Sequence, residues 1–92
     1  GPRADGKGWD GIEYFDASRG RGVLYAFRGN APGTEKYTFS LRGLDARRNY
    51  RLSFRDRSSA DITRSGGEWM QDGVSVNLPR PDSSELVLIE AM

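Results

Sequence analysis

The sequence has 92 residues, a length typical of one domain, and 29% of them are charged. It contains 0 cysteines and 0 histidines, which excludes disulfide bonds, thiolate metal sites, cysteine nucleophiles and histidine acid–base chemistry. Its 14 basic and 13 acidic residues give a net charge of +1, which does not favour nucleic acid as a partner. No segment is apolar enough to span a membrane, and no signal peptide is visible, so we predict no membrane partner.

The first two residues, Gly1-Pro2, resemble the remnant that a protease leaves when it removes a purification tag. We assign residues 1–8 to this remnant and an N-terminal lead-in. Residues 9–92 are assigned to a single β-sandwich domain.

Apolar and polar residues alternate with a period of two along most of the chain, which is typical of strands with one buried face. In chain order, the apolar sets are Ile12 and Tyr14; Val23, Tyr25 and Phe27; Tyr37, Phe39 and Leu41; Tyr50, Leu52 and Phe54; and Val74, Val76 and Leu78. Turn residues separate these sets, and no helical period persists beyond one turn. The sequence therefore predicts an all-β fold, an antiparallel β-sandwich of about seven to eight short strands.

The second half of the chain contains two further features. Residues 56–64 are polar and are interpreted as an edge strand or a loop, and Asp72-Gly73 predicts a type I′ hairpin turn. The last predicted strand, residues 85–90, contains four consecutive apolar residues and is therefore apolar on both faces. One face is expected to fill the sandwich. The other would be covered either by a partner domain or by residues 3–9.

The corner before the fourth apolar set contains a tyrosine at its end. Tyr50 follows the reversal at residues 43–49 directly. We predict that its hydroxyl reaches back to a main-chain carbonyl and stabilises the corner, as tyrosine corners do in sandwiches.

Six arginines are concentrated in one part of the sequence: Arg42, Arg47, Arg48, Arg51, Arg55 and Arg57. The favoured interpretation is that they protect exposed strands and pair with local acids. The alternative is a stripe that docks acidic side chains or phosphate, with Arg42 joining Arg51 and Arg55 from a neighbouring strand.

Aromatic residues are the best candidates for sugar binding, because flat rings stack on the apolar faces of pyranoses. The candidates are Trp9, Tyr14 and Trp69. Packing in the core or at a domain interface is the favoured interpretation for each tryptophan. The carboxylates form no recognisable catalytic pair, so we assign no catalytic residue, no cofactor and no metal ligand.

Three motifs follow one another along the chain. After the strand that contains Trp9, a G-x-x-x-A-F-R motif is matched by Gly22, Ala26, Phe27 and Arg28. An L-x-G-L-D-P-x-x-x-Y corner is matched by Leu41, Gly43, Leu44, Asp45 and Tyr50, with Ala46 at the proline position and one extra residue before the tyrosine. A G-x-x-L-M-x-x-G-L-x-V-x-L motif is matched by Gly66 or Gly67, Met70, Gly73, Val74, Val76 and Leu78, with Trp69 in place of leucine. In this order, the three motifs resemble the C-terminal β-domain of α-galactosidase-like glycoside hydrolases (family 36 and relatives).

The resemblance implies a sandwich that packs against a (β/α)8 catalytic barrel, which carries the catalytic carboxylates. We therefore expect a non-catalytic accessory domain whose partner is the catalytic domain of the parent polypeptide. The alternative is a carbohydrate-binding module that uses Trp9, Trp69 or Tyr14, and an autonomous small hydrolase is the least favoured. Exposed coplanar tryptophans would favour the binding module. Buried tryptophans beside an exposed aliphatic patch would favour the accessory domain.

Overall fold

The computed structural model describes residues 8–30, 33 and 35–92. These residues form the strands β1 (Trp9–Asp16), β2 (Arg21–Arg28), β3 (Lys36–Phe39), β4 (Asn49–Phe54), β5 (Ile62–Ser65), β6 (Val74–Asn77) and β7 (Ser83–Ala91), and the helix α1 (Gly66–Asp72). All strand pairs are antiparallel. The predicted all-β antiparallel sandwich is confirmed, with seven strands in the described part of the chain.

The strands form two sheets. The larger has the order β1-β2-β7-β4-β5, and the smaller consists of β3 and β6. The core between them contains Leu24, Ala26, Phe39, Leu41, Leu44, Tyr50, Leu52, Phe54, Trp69, Val74, Val76, Leu78, Val87 and Ile89. We call the side of the five-stranded sheet that faces this core its inner face and the opposite side its outer face.

The predicted alternation is confirmed in β4, where Tyr50, Leu52 and Phe54 are buried on the inner face. In β2 the opposite set faces the core: Leu24 and Ala26 are buried on the inner face, whereas the apolar set of Val23, Tyr25 and Phe27 lies on the outer face. β7 lies between β2 and β4, and its Val87 and Ile89 also point inward. The last strand of the sequence therefore lies at the centre of the larger sheet.

Helix α1 was not predicted from the sequence, and the predicted hairpin at Asp72-Gly73 is wrong. Ser65 is the N-cap: its side chain accepts a hydrogen bond from the amide of Glu68, and the Glu68 carboxylate accepts one from the amide of Ser65. This capping box, Ser-Gly-Gly-Glu, offsets the low helix propensity of two glycines. Because β5 and β6 belong to different sheets, the segment crosses the sandwich instead of reversing within one sheet.

The corner at residues 43–49 packs against the start of α1. The Tyr50 hydroxyl accepts a hydrogen bond from the amide of Asp45 at 2.8 Å, so its partner is a main-chain N–H and the prediction of a carbonyl is wrong. The Asp45 carbonyl already accepts from the amide of Arg48 at 3.1 Å. Gly66 approaches the corner so closely that an added Cβ would lie 2.1 Å from the Asp45 carbonyl oxygen.

Candidate interaction surface

The outer face of the five-stranded sheet carries an unusual number of apolar side chains for a solvent-facing surface. The strand registers arrange six of these side chains in two rows that cross the sheet. One row consists of Tyr14, Val23 and Leu88, and the other of Ile12, Tyr25 and Leu86. We refer to these six residues as the apolar rows. The first row ends at Ser53 of β4, and the second ends at Arg55, the residue directly after β4.

The apolar rows are substantially exposed in this chain. Tyr14 is 66% exposed, Ile12 53% and Tyr25 45%. From the usual areas of such side chains, these three alone present on the order of 300–400 Å² of surface to solvent. Contiguous apolar patches of this size on a small protein commonly mark interaction sites.

The apolar rows account for the four consecutive apolar residues of the last strand. Val87 and Ile89 are buried on the inner face, whereas Leu86 and Leu88 lie in the apolar rows and are only partly buried. The sequence also suggested that residues 3–9 cover the outer face of β7. Trp9 instead contacts the core side of the sandwich, and residues 3–7 lie outside the described residues. The second face of β7 therefore remains partly open in the part of the chain that the structure describes.

A charged row borders the apolar rows at one end of the sheet. Asp16, Arg21, Glu90 and Arg51 follow one another across β1, β2, β7 and β4, so that opposite charges are neighbours. Arg51 Nη2 lies 3.4 Å from Glu90 Oε1. The pKa of Asp16 is below its ordinary value, chiefly because its carboxylate accepts a hydrogen bond from the Ser18 side chain. We call this set the charged row.

A groove of about 450 Å³ lies where the apolar rows meet the charged row. Tyr14, Val23 and Leu88 contribute apolar surface to it, and Arg21 and Glu90 contribute charged groups. An exposed aromatic ring beside hydrogen-bonding groups is a combination that can hold either an apolar side chain of a partner or a sugar ring.

The structure separates the three residues proposed to bind sugar. Trp9 lies against the core side of β1, where its ring stacks on Tyr37 with centroids 5.7 Å apart and planes 16° apart. Trp69 is only 2% exposed, and its Nε1 donates to the carbonyl oxygen of Tyr50 at 3.0 Å. Its ring therefore offers no face to a ligand. Tyr14 alone of the three lies in the apolar rows, so the sequence-based set does not form one site.

The family model for the glycosyl hydrolase family 36 C-terminal domain matches residues 9–89. The chain belongs to this family. The match extends over the strands that carry the apolar rows, and it confirms the resemblance seen in the three sequence motifs. No curated protein and no solved structure matches the chain significantly.

The arginines of this family 36 C-terminal domain do not form the continuous stripe considered from the sequence. Arg51 lies on the outer face of β4, and Arg55 directly follows that strand, where its amide bonds to the Leu86 carbonyl. Arg42 follows β3, which belongs to the other sheet, and its amide donates to the Glu13 carboxylate at 3.1 Å. Partial burial raises the pKa of Glu13, and the hydrogen bond from Arg42 opposes this rise. The expected alignment of Arg42 with Arg51 and Arg55 is therefore wrong, because β3 and β4 are not neighbours.

Sequence reasoning also missed a buried carboxylate. Glu85 is 0% exposed. It accepts hydrogen bonds from the amide of Asp56 at 2.8 Å, and from the amide and hydroxyl of Ser58 at 3.1 and 2.6 Å. These bonds fix the loop after β4. The signal was present in the alternation of β7, because positions 85, 87 and 89 all point inward.

The described residues include no group of three or more carboxylates placed to hold a metal ion. Within the same ranges, no helix has the length and apolar character needed to cross a membrane.

Proposed function

We propose that this family 36 C-terminal domain is a non-catalytic accessory domain that packs against the (β/α)8 catalytic domain of a glycoside hydrolase polypeptide and supports it. The apolar rows are the docking surface. The observation that carries the proposal is that β7, the central strand of the sheet, is apolar on both faces while its Leu86 and Leu88 remain partly exposed. Family membership supplies the partner, because a C-terminal domain of a glycoside hydrolase implies a catalytic domain in the same polypeptide.

The size of the apolar surface supports this function. Covering on the order of 300–400 Å² of apolar surface contributes roughly 8–10 kcal/mol before the costs of association, at about 25 cal/mol per Å². When both domains belong to one polypeptide, the loss of translational freedom on docking is small. A patch too small for a stable complex between separate proteins is therefore sufficient for contact between linked domains.

The tryptophans give further support. Trp69 is buried in the core, and Trp9 is stacked against Tyr37 beside the core. Neither forms an exposed, coplanar platform, whereas an aliphatic and aromatic patch is exposed on the opposite face. This combination was the one expected of an accessory domain. Catalysis would reside in the barrel, where glycosidases with this architecture place their carboxylates.

The proposal can be tested by thiol labelling, because the chain has 0 cysteines and each introduced cysteine is its sole thiol. Ser53→Cys places a thiol at the end of the first apolar row, on the outer face of β4. Ser75→Cys places a matched thiol on the exposed side of the two-stranded sheet, where Ser75 contacts Thr38. Each labelling rate is measured in the 92-residue chain alone and in the enzyme that contains both domains.

Docking through the outer face is expected to slow labelling at position 53 by about tenfold or more in the two-domain enzyme, and to leave position 75 within about twofold. Equal rates at position 53 in both forms would overturn the proposal. Slower labelling at position 75 alone would place the contact on the other side of the sandwich and would overturn it equally.

Carbohydrate binding at the groove beside Tyr14 is a second candidate, favoured by the exposed ring and the adjacent Arg21 and Glu90. Titration of the isolated chain with galactosides and soluble polysaccharides by calorimetry tests it. If the groove binds sugar, Tyr14→Phe retains the affinity because the ring is kept, whereas Tyr14→Ala loses it. Tyr37→Ala is the control, since that ring lies beside the core near Trp9. Absence of heat with every sugar excludes this candidate.

A further inference from the structure

We infer that the surface docked on the apolar rows presents a carboxylate side chain to Arg55, and that this ion pair sets the orientation of the two domains. The inference rests on the proposed function, because it concerns the chemistry of the same docking surface. It identifies the partner surface as apolar at its centre and acidic on the side that meets β4.

Arg55 lies directly at the edge of the apolar rows. Its amide donates to the carbonyl of Leu86 at 2.9 Å, so Arg55, the first residue after β4, continues the row of Ile12, Tyr25 and Leu86. The residue is exposed. Its guanidinium makes no hydrogen bond and no ion pair with any residue that the structure describes.

The charged row at the other end of the sheet provides the contrast. There each side chain has an oppositely charged neighbour across the strands: Arg21 lies between Asp16 and Glu90, and Glu90 lies between Arg21 and Arg51. The charged row can therefore lie at the rim of an interface with its charges already compensated. Arg55 is the uncompensated cation that directly continues an apolar row on the described outer face.

Docking makes the lack of an ion pair at Arg55 important. When a partner covers Leu86 and Tyr25, water is removed from around Arg55, and an arginine that is desolvated without a partner destabilises an interface. A carboxylate removes this cost, because the planar guanidinium binds it through two parallel hydrogen bonds. The partner is a protein surface, since the groups beside Arg55 are apolar side chains that require apolar cover.

The test uses the two-domain enzyme with Ser53→Cys and compares Arg55→Glu with Lys36→Glu. Both substitutions change the charge by the same amount, but Lys36 lies on the two-stranded sheet, paired with Asn77. Protection is the ratio of the labelling rates in the isolated chain and in the enzyme. This ratio cancels the effect of a nearby charge on the reactivity of the thiol.

Arg55→Glu is expected to reduce protection by about tenfold at low ionic strength, and Lys36→Glu to leave it within about twofold. Arg55→Gln is expected to give an intermediate loss, and high salt to weaken protection of the parent but not of Arg55→Gln. Equal protection in Arg55→Glu and Lys36→Glu would overturn the inference while leaving the proposed function intact. No protection at position 53 in the parent would remove the proposed function itself. Urea unfolding of each isolated variant verifies that its fold is retained.

Discussion

The hydroxyl of Tyr50 accepts a hydrogen bond from the amide of Asp45, five residues earlier in the chain, at a distance of 2.8 Å. The main-chain carbonyl oxygen of Tyr50 accepts a hydrogen bond from the Trp69 indole at 3.0 Å, and the Tyr50 ring packs edge-on against Phe15. Tyr50 thus joins the corner, helix α1 and the edge strand β1. The stability of this end of the sandwich depends on these contacts.

Removal of the Tyr50 hydroxyl is expected to destabilise the chain. Tyr50→Phe leaves the amide of Asp45 without its acceptor, which reduces the free energy of unfolding by about 1–2 kcal/mol. Urea unfolding followed by tryptophan fluorescence measures the change. Tyr37→Phe is the control, because the Tyr37 hydroxyl has no hydrogen-bond partner among the described residues and should change stability by less than about 0.5 kcal/mol. Equal losses in the two variants would contradict the role of the corner bond.

The two glycines at the start of α1 are expected to differ sharply in their tolerance of alanine. A Cβ on Gly66 would lie 2.1 Å from the Asp45 carbonyl oxygen, so Gly66→Ala should lower the free energy of unfolding by about 2–4 kcal/mol. A Cβ on Gly67 would lie 3.3 Å from the Ala46 carbonyl oxygen, and the higher helix propensity of alanine offsets this tighter contact. Gly67→Ala should therefore be within about 1 kcal/mol of the parent. Thermal unfolding of both variants tests this prediction. An unfolding temperature of Gly66→Ala equal to that of the parent would contradict it.

Glu85 is expected to contribute strongly to stability through its hydrogen bonds to the loop after β4. Glu85→Gln replaces one acceptor oxygen by an NH2 group and weakens charge-assisted bonds to Asp56 and Ser58, at a cost of about 2–4 kcal/mol. Glu90→Gln is the same chemical change on the exposed outer face and should cost less than about 1 kcal/mol. Denaturant unfolding of the isolated chain compares them. A loss at Glu90 as large as that at Glu85 would count against this explanation.

The capping box predicts a pH dependence of stability. The pKa of Glu68 lies below its ordinary value of 4.5, chiefly because its carboxylate accepts a hydrogen bond from the amide of Ser65. A lowered pKa in the folded state means that the stabilisation is complete above the ordinary pKa. The stabilisation is lost as the pH falls through the lowered pKa.

Glu68→Gln should therefore be less stable than the parent at pH 7, and the two should converge near pH 2. Urea midpoints measured across this range provide the test. Glu35→Gln, an exposed change away from the helix, should show no such convergence. A difference between Glu68→Gln and the parent that is unchanged at pH 2 would show that the carboxylate charge is not responsible.

Much of the fold could be predicted from the sequence, because period-two alternation identifies strands. The alternating set of β4 faces the core as predicted, whereas Val23, Tyr25 and Phe27 of β2 lie on the outer face, because both faces of that strand carry apolar residues. Helix α1 could not be found in the same way, because seven residues with two glycines give no helical period. The one sequence signal of the helix is the three-residue spacing of Ser65 and Glu68, which is typical of a capping box at a helix N-terminus.

The interaction surface was only partly predictable. The continuous apolar run of β7 indicated a second covered face, but the run alone could not reveal which other side chains share that face. The register of β1, β2 and β7 places Tyr14 beside Val23 and Leu88, and this relationship connects residues up to 74 positions apart (14 to 88). Core packing, the favoured interpretation of Trp69, is confirmed, whereas the alignment of Arg42 with Arg51 and Arg55 fails because the topology separates β3, which Arg42 follows, from β4.

The central position of β7 determines when this domain can fold during synthesis. The β1-β2 pair and the β4-β5 pair are joined only through β7, which comes last in the order of the strands. While a ribosome extends the chain, these two pairs have no strand to unite them, and their apolar inner faces stay uncovered until residues 83–91 emerge. Closure of the sheet then brings together segments distant in sequence, which slows folding and makes it depend on the emergence of β7. Interruption of synthesis shortly before β7 would leave two aggregation-prone hairpins in place of a domain.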